Sequence, residues 1–162
     1  MFADILSFLL FAHQRDVRRV SFDDVNAPVD VVIDLEGLQY ALDVDWHGET
    51  DYIYWTDIGK RSVSRARWDG SGQEVKTEQL KIVYLCTTHM FTQVIIESEL
   101  ESPTGLAVEW VTNKLYVIDA GLSRIEVSRL DGSMRSVVVW DDLERPRDIV
   151  LHPRNGSVER KT

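Results

Sequence analysis

The chain has 162 residues, 27 of them acidic against 18 Lys and Arg, for a formal net charge of −9. That balance excludes a general phosphate-binding surface, because nucleic-acid affinity comes chiefly from Lys and Arg neutralising phosphates. The length suits one domain with a real core, the lone Cys86 cannot close an internal disulfide, and no apolar run is long enough to span a bilayer as a helix.

From the N-terminus, Met1 to Ala12 is apolar. Asp4 stands where a secretory signal needs a basic region, which favours a buried strand over a signal peptide. Short apolar runs broken by turn residues predict strands at 8–12, 17–22, 29–33, 41–46, 52–56, 62–68 and 94–97. Asp69-Gly70 closes the sixth of these runs. A second set follows at 105–110, 114–119, 123–130 and 136–140, with Asp131-Gly132 as a tight turn, since Gly accepts positive φ without steric cost. Leu106, Val108 and Trp110 are expected on one face of their strand. A last run covers Arg147 to Pro153.

The strand Tyr54-Trp55-Thr56-Asp57 returns in weaker form as Tyr116-Val117-Ile118-Asp119, 62 residues later, and Asp131 follows Asp69 at the same interval. Pro103 and Pro146 frame the second set at an interval of only 43. The difference is 19, the length of the segment Val75–Gln93, which carries Cys86 and fits no repeat. We read 75–93 as an insertion whose ends suit the borders of a retained intron, the alternative being a long loop or added strand tolerated at small entropic cost. Transcript sequencing tests the first reading. Four strands per unit, repeated, predict propeller blades. The chain then divides into a partial first blade (1–34), a second blade (35–98) containing the insertion, a third (99–142), the first strand of a fourth (143–153) and an irregular tail (154–162).

Little in the sequence points to chemistry. His13, His47, His89 and His152 show no metal-ligand spacing, and structural or surface roles fit them better than acid-triggered release. No metal site and no cofactor are expected, and no catalytic residue is assigned. Asp23-Asp24, Glu97 to Glu101 and Asp141-Asp142 read first as solvated turns. Trp46, Trp55, Trp68, Trp110 and Trp140 fall at corresponding strand ends and read first as packing between blades. An exposed Trp would instead anchor an interface. On that alternative, Trp46, Trp110, Trp140, Asp141 and Asp142 form a candidate ligand face. Asn155-Gly156-Ser157 is a glycosylation sequon. A propeller lactonase would need a central metal, and Asn26, Asn113 and Asn155 do not recur at inner-strand positions.

Asp51 to Asp57, Ser102 to Trp110, Ser123 to Gly132 and Leu143 to Pro153 resemble the YWTD propellers of the low-density lipoprotein receptor family, also called class B repeats. The resemblance implies an all-β fold, an incomplete six-bladed YWTD β-propeller of about three blades of four antiparallel strands. It implies that Tyr54, Trp55, Thr56 and Asp57, with Tyr116 and Asp119, pack and bond between neighbouring blades, and that Asp69-Gly70 and Asp131-Gly132 turn their hairpins. Trp140 and Ser123 to Val127 point to one receptor-related member. Also implied are extracellular protein ligands, such as agrin or Wnt-pathway modulators, and EGF-like modules in cis. So is a place outside the plasma membrane, reached through other parts of a longer receptor. A nidogen-type secreted matrix protein carries the same propeller. An unclosed ring is expected to be marginally stable or to self-associate.

Overall fold

A computed structural model describes residues 8–22, 28–68, 92–152 and 157–161. Every regular element among them is a strand. The first sheet holds β1 (Phe8–His13), β2 (Asp16–Ser21) and β3 (Val29–Ile33). The second holds β4 (Ala41–His47), β5 (Tyr52–Asp57), β6 (Ser62–Arg67) and β7 (Gln93–Ile96). The third holds β8 (Pro103–Glu109), β9 (Lys114–Asp119), β10 (Arg124–Arg129) and β11 (Ser136–Val139). The fourth pairs β12 (Asp148–His152) with β13 (Ser157–Lys161). Each strand pairs antiparallel with its neighbour in sequence, the meander of a propeller blade.

The repeat seen in the sequence holds at the level of backbone geometry. β6 shifts register against β7 between Val63 and Ser64, and β10 shifts against β11 between Ile125 and Glu126, 62 residues on. Asp51 and Asn113 both take left-handed φ, 56° and 57°, in the turns between the first two strands of their sheets. Arg61 and Ser123 do the same one turn later, at 53° and 49°.

Two expected boundaries move. Gln93 pairs with Arg65 as Ser136 pairs with Val127, so it belongs to β7 and not to the insertion. The rest of the insertion up to Phe91 lies outside the described residues, as do Cys86, His89, Asp69, Gly70, Asp23, Asp24, Asn26 and Asn155. Residues 157–161 are a strand, not part of an irregular tail. The sequence carries a matching signal, since Asn155-Gly156 is a hairpin-favouring dipeptide between two strand-length runs.

The core is a series of layers between sheets, because successive side chains of a strand point to opposite faces. Ile53 and Trp55 of β5 pack backward with Val17, Ile33 and Leu35 of the first sheet and its connector. Tyr54, between them, packs forward with Leu106, Val108, Leu115 and Val117. The third sheet repeats the arrangement: Leu115 and Val117 face backward, while Ile118 and Tyr116 face forward onto Leu143, Ile149 and Leu151. Ile53, Tyr54, Leu115 and Ile118 are fully buried, and Trp55 nearly so. Trp46 and Trp68 join the first of these layers and both meet Phe8, Trp46 edge-to-face at 5.1 Å and Trp68 tilted at 5.3 Å between ring centroids.

Val117 occupies the position of Trp55 with far less volume, so the two backward-facing layers are unequal. Trp55→Ala is expected to cost about 3–5 kcal/mol, against about 1–3 kcal/mol for Val117→Ala, as measured by chemical denaturation. Equal losses would show that Trp55 is not the larger support.

Candidate ligand-binding face

Two buried carboxylates set the ends of the sheets. Asp57 accepts hydrogen bonds from the backbone N–H groups of Gln39 (2.8 Å), Tyr40 (3.0 Å) and Lys60 (3.2 Å). Asp119 accepts from Glu101 (2.8 Å), Ser102 (2.9 Å), Gly121 (3.0 Å) and Leu122 (3.2 Å). The backbone bonds Ile58 to Tyr40 and Ala120 to Ser102 repeat as well. Both carboxylates are almost wholly buried. Each therefore joins the connector entering its own sheet to the turn after its own strand. The resemblance implied bonds to a neighbouring blade. The structure instead places them on the segment that leads from that blade.

Other side chains bond from one sheet to the next: Arg65 Nη1 donates to the Leu130 carbonyl at 2.9 Å, and two aspartates of β4 reach the third sheet. Leu106 and Val108 sit on β8, the first strand of its sheet, and donate their N–H groups to Asp43 (2.8 Å) and Asp45 (2.7 Å) of β4. The two carboxylates cover the edge of β8 with acceptors from the preceding sheet. The signal was the alternating Asp43-Val44-Asp45, an acidic pattern inside a strand-forming run. Burial holds the Asp43 carboxyl up at about 6, against the pull of the Leu106 and Val44 N–H bonds. Burial also raises Asp45, opposed by its bonds from Val108 and Trp46. His47 adds a further crossing contact, Nε2 to Asn113 Oδ1 at 2.8 Å. Its Nδ1 accepts from the N–H of Thr50, so Nε2 carries the proton and donates. The ring is fully buried, in keeping with a structural role.

Between the third and fourth sheets the same positions are filled differently. Gly105 replaces Asp43 in the repeat, and a Cβ there would lie 3.0 Å from the Arg147 carbonyl oxygen. This interface closes by backbone approach, supported by the Thr104 hydroxyl donating to the Pro146 carbonyl at 3.1 Å.

Strand direction separates the predicted ligand face into two groups. Trp46 and Trp110 lie near the ends of β4 and β8, at one end of the sheets. Trp140, Asp141 and Asp142 follow β11, at the opposite end, beside the connectors that Asp57 and Asp119 hold. These five residues do not share one face. Trp46 is half-buried in the interior layer, whereas Trp110 has left the strand and is 50% exposed and Trp140 is 72% exposed. Trp110 therefore does not share the buried face of Leu106 and Val108. Thr56 is buried and accepts from the Asp43 N–H at 3.2 Å. Asp131 is exposed and accepts from the Ser133 N–H, and Gly132 turns the β10–β11 hairpin at φ 81°. A Cβ on Gly132 would fall 2.2 Å from the Ile95 carbonyl oxygen. Among the described residues no group of three or more His, Cys, Asp or Glu could hold a metal ion.

The connector end also carries a cleft of about 640 Å³, lined by Leu42, Ser102, Thr104, Ala120 and Gly121 with Arg145 and Arg147. A second hollow of about 360 Å³ runs along the inner strands past Asp43, Asp45 and Asp148.

Residues 113–153 match the low-density lipoprotein receptor repeat class B family. Low-density lipoprotein receptor-related protein 5 of Mus musculus is 38% identical over 148 residues, 91% of this chain and 8% of that protein. The chain belongs to the low-density lipoprotein receptor class B repeat family. Low-density lipoprotein receptor-related protein 4 of Homo sapiens is 47% identical over 106 residues, 65% of this chain and 4% of that protein. The chain thus spans less than a tenth of the length of these relatives. A solved nidogen/laminin complex contains a chain with a TM-score of 0.74 to this one and 25% identity, covering 94% of this chain and 52% of that one. A streptogramin B lyase structure, at a TM-score of 0.58 and 9% identity, shares the fold alone.

The buried aspartates also predict single-residue effects on stability. Asp119→Asn turns an amide toward N–H donors that need an acceptor, and is expected to cost about 1–3 kcal/mol in denaturant unfolding. A stability equal to wild type would remove the carboxylate from this role. A pH prediction follows from Asp43. Its folded state binds a proton more tightly than the unfolded chain, whose value is 3.8. The stabilisation this provides is complete below pH 3.8 and is lost as pH rises through about 6. Asp43→Asn keeps an acceptor for the Leu106 N–H and removes the titration. Melting temperatures between pH 4 and pH 7 should fall less steeply for the variant, and an unchanged slope would assign the titration elsewhere.

Proposed function

We propose that this chain is a non-catalytic protein-binding module from the ectodomain of a low-density lipoprotein receptor-related cell-surface receptor. The observation that carries the reading is 38% identity over 91% of the chain to a receptor-related protein. The architecture supports it. The buried Asp57 and Asp119 are committed to holding connectors, while large apolar groups such as Trp140 and Trp110 are presented at the sheet ends. Loops held on a rigid scaffold are where proteins of this construction meet partners.

The ligands are extracellular proteins of the agrin or Wnt-modulator kind. EGF-like modules neighbour the propeller in cis, and the membrane is reached only through other parts of the full-length chain. Ligand uptake or signalling is the work of that whole receptor. Asn155 is proposed as a glycan acceptor. The retained-intron origin of the insertion, and marginal stability or self-association of the piece as given, complete the reading. A sharp monomeric melt would oppose the last of these.

A second reading, a secreted matrix propeller of nidogen type, is favoured by the likeness to a chain solved in complex with laminin. Surface plasmon resonance with the immobilised chain separates the two. Saturable binding of agrin supports the receptor reading, and saturable binding of laminin supports the matrix reading. If neither binds, this chain is not by itself a ligand-binding module.

A further inference from the structure

β3, β7 and β11 are each the last strand of their sheet, and each presents one edge with which no strand pairs among the described residues. Such an edge is a template for another chain unless something blunts it. Two of the three are blunted by a bulge. The β6–β7 register slips between Val63 and Ser64, which leaves Ile95 as the extra residue of β7. The β10–β11 register slips between Ile125 and Glu126 and leaves Val138 in the same position. An extra residue interrupts the ladder and bends the strand. At Ile95 the bulge is also occupied, its carbonyl oxygen lying against Gly132 of the third sheet.

β3 has no such interruption. All five residues pair in register with β2, from Val29 opposite Ser21 to Ile33 opposite Val17. Val29, Asp30, Val31 and Val32 are exposed. The strand carries no Lys or Arg, and its one charge is neutralised, since Arg18 Nη1 donates to Asp30 at 2.7 Å. A regular, β-branched edge without a net charge is the kind to which an added strand pairs best.

The sequence of the strand decides what fits it. Turned antiparallel about Val31, a second Val29–Ile33 places Val31 opposite Val31, Val29 opposite Ile33 and Asp30 opposite Val32. No carboxylate faces a carboxylate. Val32 lies opposite Arg18 within its own sheet, so Asp30 of the second copy falls in the same cross-strand row as Arg18. Opposite charges thus share a row on each side of the joint. Pro28, which lacks an N–H, precedes the strand and limits the pairing at that end.

We propose that β3 is a site of self-association. Two copies of the chain join by antiparallel pairing of their β3 edges about a two-fold axis at Val31, which merges their first sheets into one. The contact lies on an outer edge, not at the open ends of the ring, and is independent of the ligand the module takes. Five paired residues make a small interface, of the transient class below about 1,200 Å².

Sedimentation velocity of the full chain tests this from about 10 µM to about 1 mM, the range of small interfaces. Salt at about 0.15 M screens the mutual repulsion of two acidic chains beyond about 8 Å. The wild type should pass from monomer to dimer across that range. Val31→Lys and Val31→Glu each set like charges face to face on the axis, and each alone should weaken the dimer about 10-fold or more. Mixed in equal amounts, the two should recover it, because Lys then faces Glu. Val111→Lys adds the same charge at an exposed residue of the β8–β9 turn and should leave the dimer unchanged. Circular dichroism checks the strand content of each variant. Hydrogen exchange needs no variant: the amides of residues 29–33 should gain protection as concentration rises. A wild type that stays monomeric, or unchanged exchange at these amides, would overturn the proposal. So would an association that neither Val31 variant weakens or that their mixture does not restore, and it would assign self-association to another surface.

Discussion

A sheet that is buried on both faces cannot be stable alone, and that constraint organises this chain. Each four-stranded meander exposes two apolar faces, and only the neighbours before and after it can cover them. Strand alternation does the sorting. Trp55 and Ile53 go backward, Tyr54 goes forward, and the same split recurs at Val117, Leu115 and Tyr116. The forward layer of one sheet is the backward layer of the next, so the angle between sheets must be held within the tolerance of close packing. Asp57 and Asp119 act at that point. Each gathers backbone N–H groups from an incoming connector and an outgoing turn, where regular strand pairing can satisfy neither. A carboxylate suits this task because its two oxygens accept several bonds at once.

The interfaces are not copies of each other. Between the second and third sheets the inner strands are joined by Asp43, Asp45 and the His47–Asn113 contact. Between the third and fourth, Gly105 and Ala107 stand in the places of the two aspartates, and the strands come together by backbone contact. The first solution places buried carboxylates where ionisation is disfavoured. The second has no titrating group in those positions. One repeat unit therefore yields two kinds of joint, with the identity of two inner-strand residues deciding which.

Most of the strand order was legible in the sequence, and the reasons are physical. Turn dipeptides such as Asp131-Gly132 and left-handed positions such as Asn113 have few alternatives, and the 62-residue repeat gave each strand of the second sheet a partner for comparison. β13 is harder to read because Asn155-Gly156 has two meanings in the sequence, part of a sequon and a hairpin-favouring dipeptide. Trp46 and Trp110 looked equivalent because similar residues precede them. Pairing of Val44 with Trp55 and of Leu106 with Val117 shows that they are offset by two residues. Similarity of letters had outweighed register, and register decides which face a side chain takes. The crossing role of Asp43 and Asp45 was hidden for another reason. An acidic residue in a strand ordinarily faces water, and only the arrival of a second edge reveals what it accepts.

The division of labour between the two ends of the sheets follows from these joints. At the end where Trp110 lies, His47 with Thr50 and Glu109 with Val111 and Thr112 bond within the turns between first and second strands. At the opposite end the connectors are fixed from beneath by Asp57 and Asp119, and Arg124 and Arg135 also hold the Ser98 and Glu99 carbonyls. Trp140, Arg145 and Arg147 lie on the next connector, between β11 and β12, where the Thr104 hydroxyl donates to the Pro146 carbonyl. Buried acceptors rigidify a segment without using its side chains. A connector held in that way loses little conformational freedom when a partner docks, and the interaction energy of its exposed groups goes into affinity instead of ordering. The same carboxylates that align the sheets thus also order the two connectors that enter the second and third sheets.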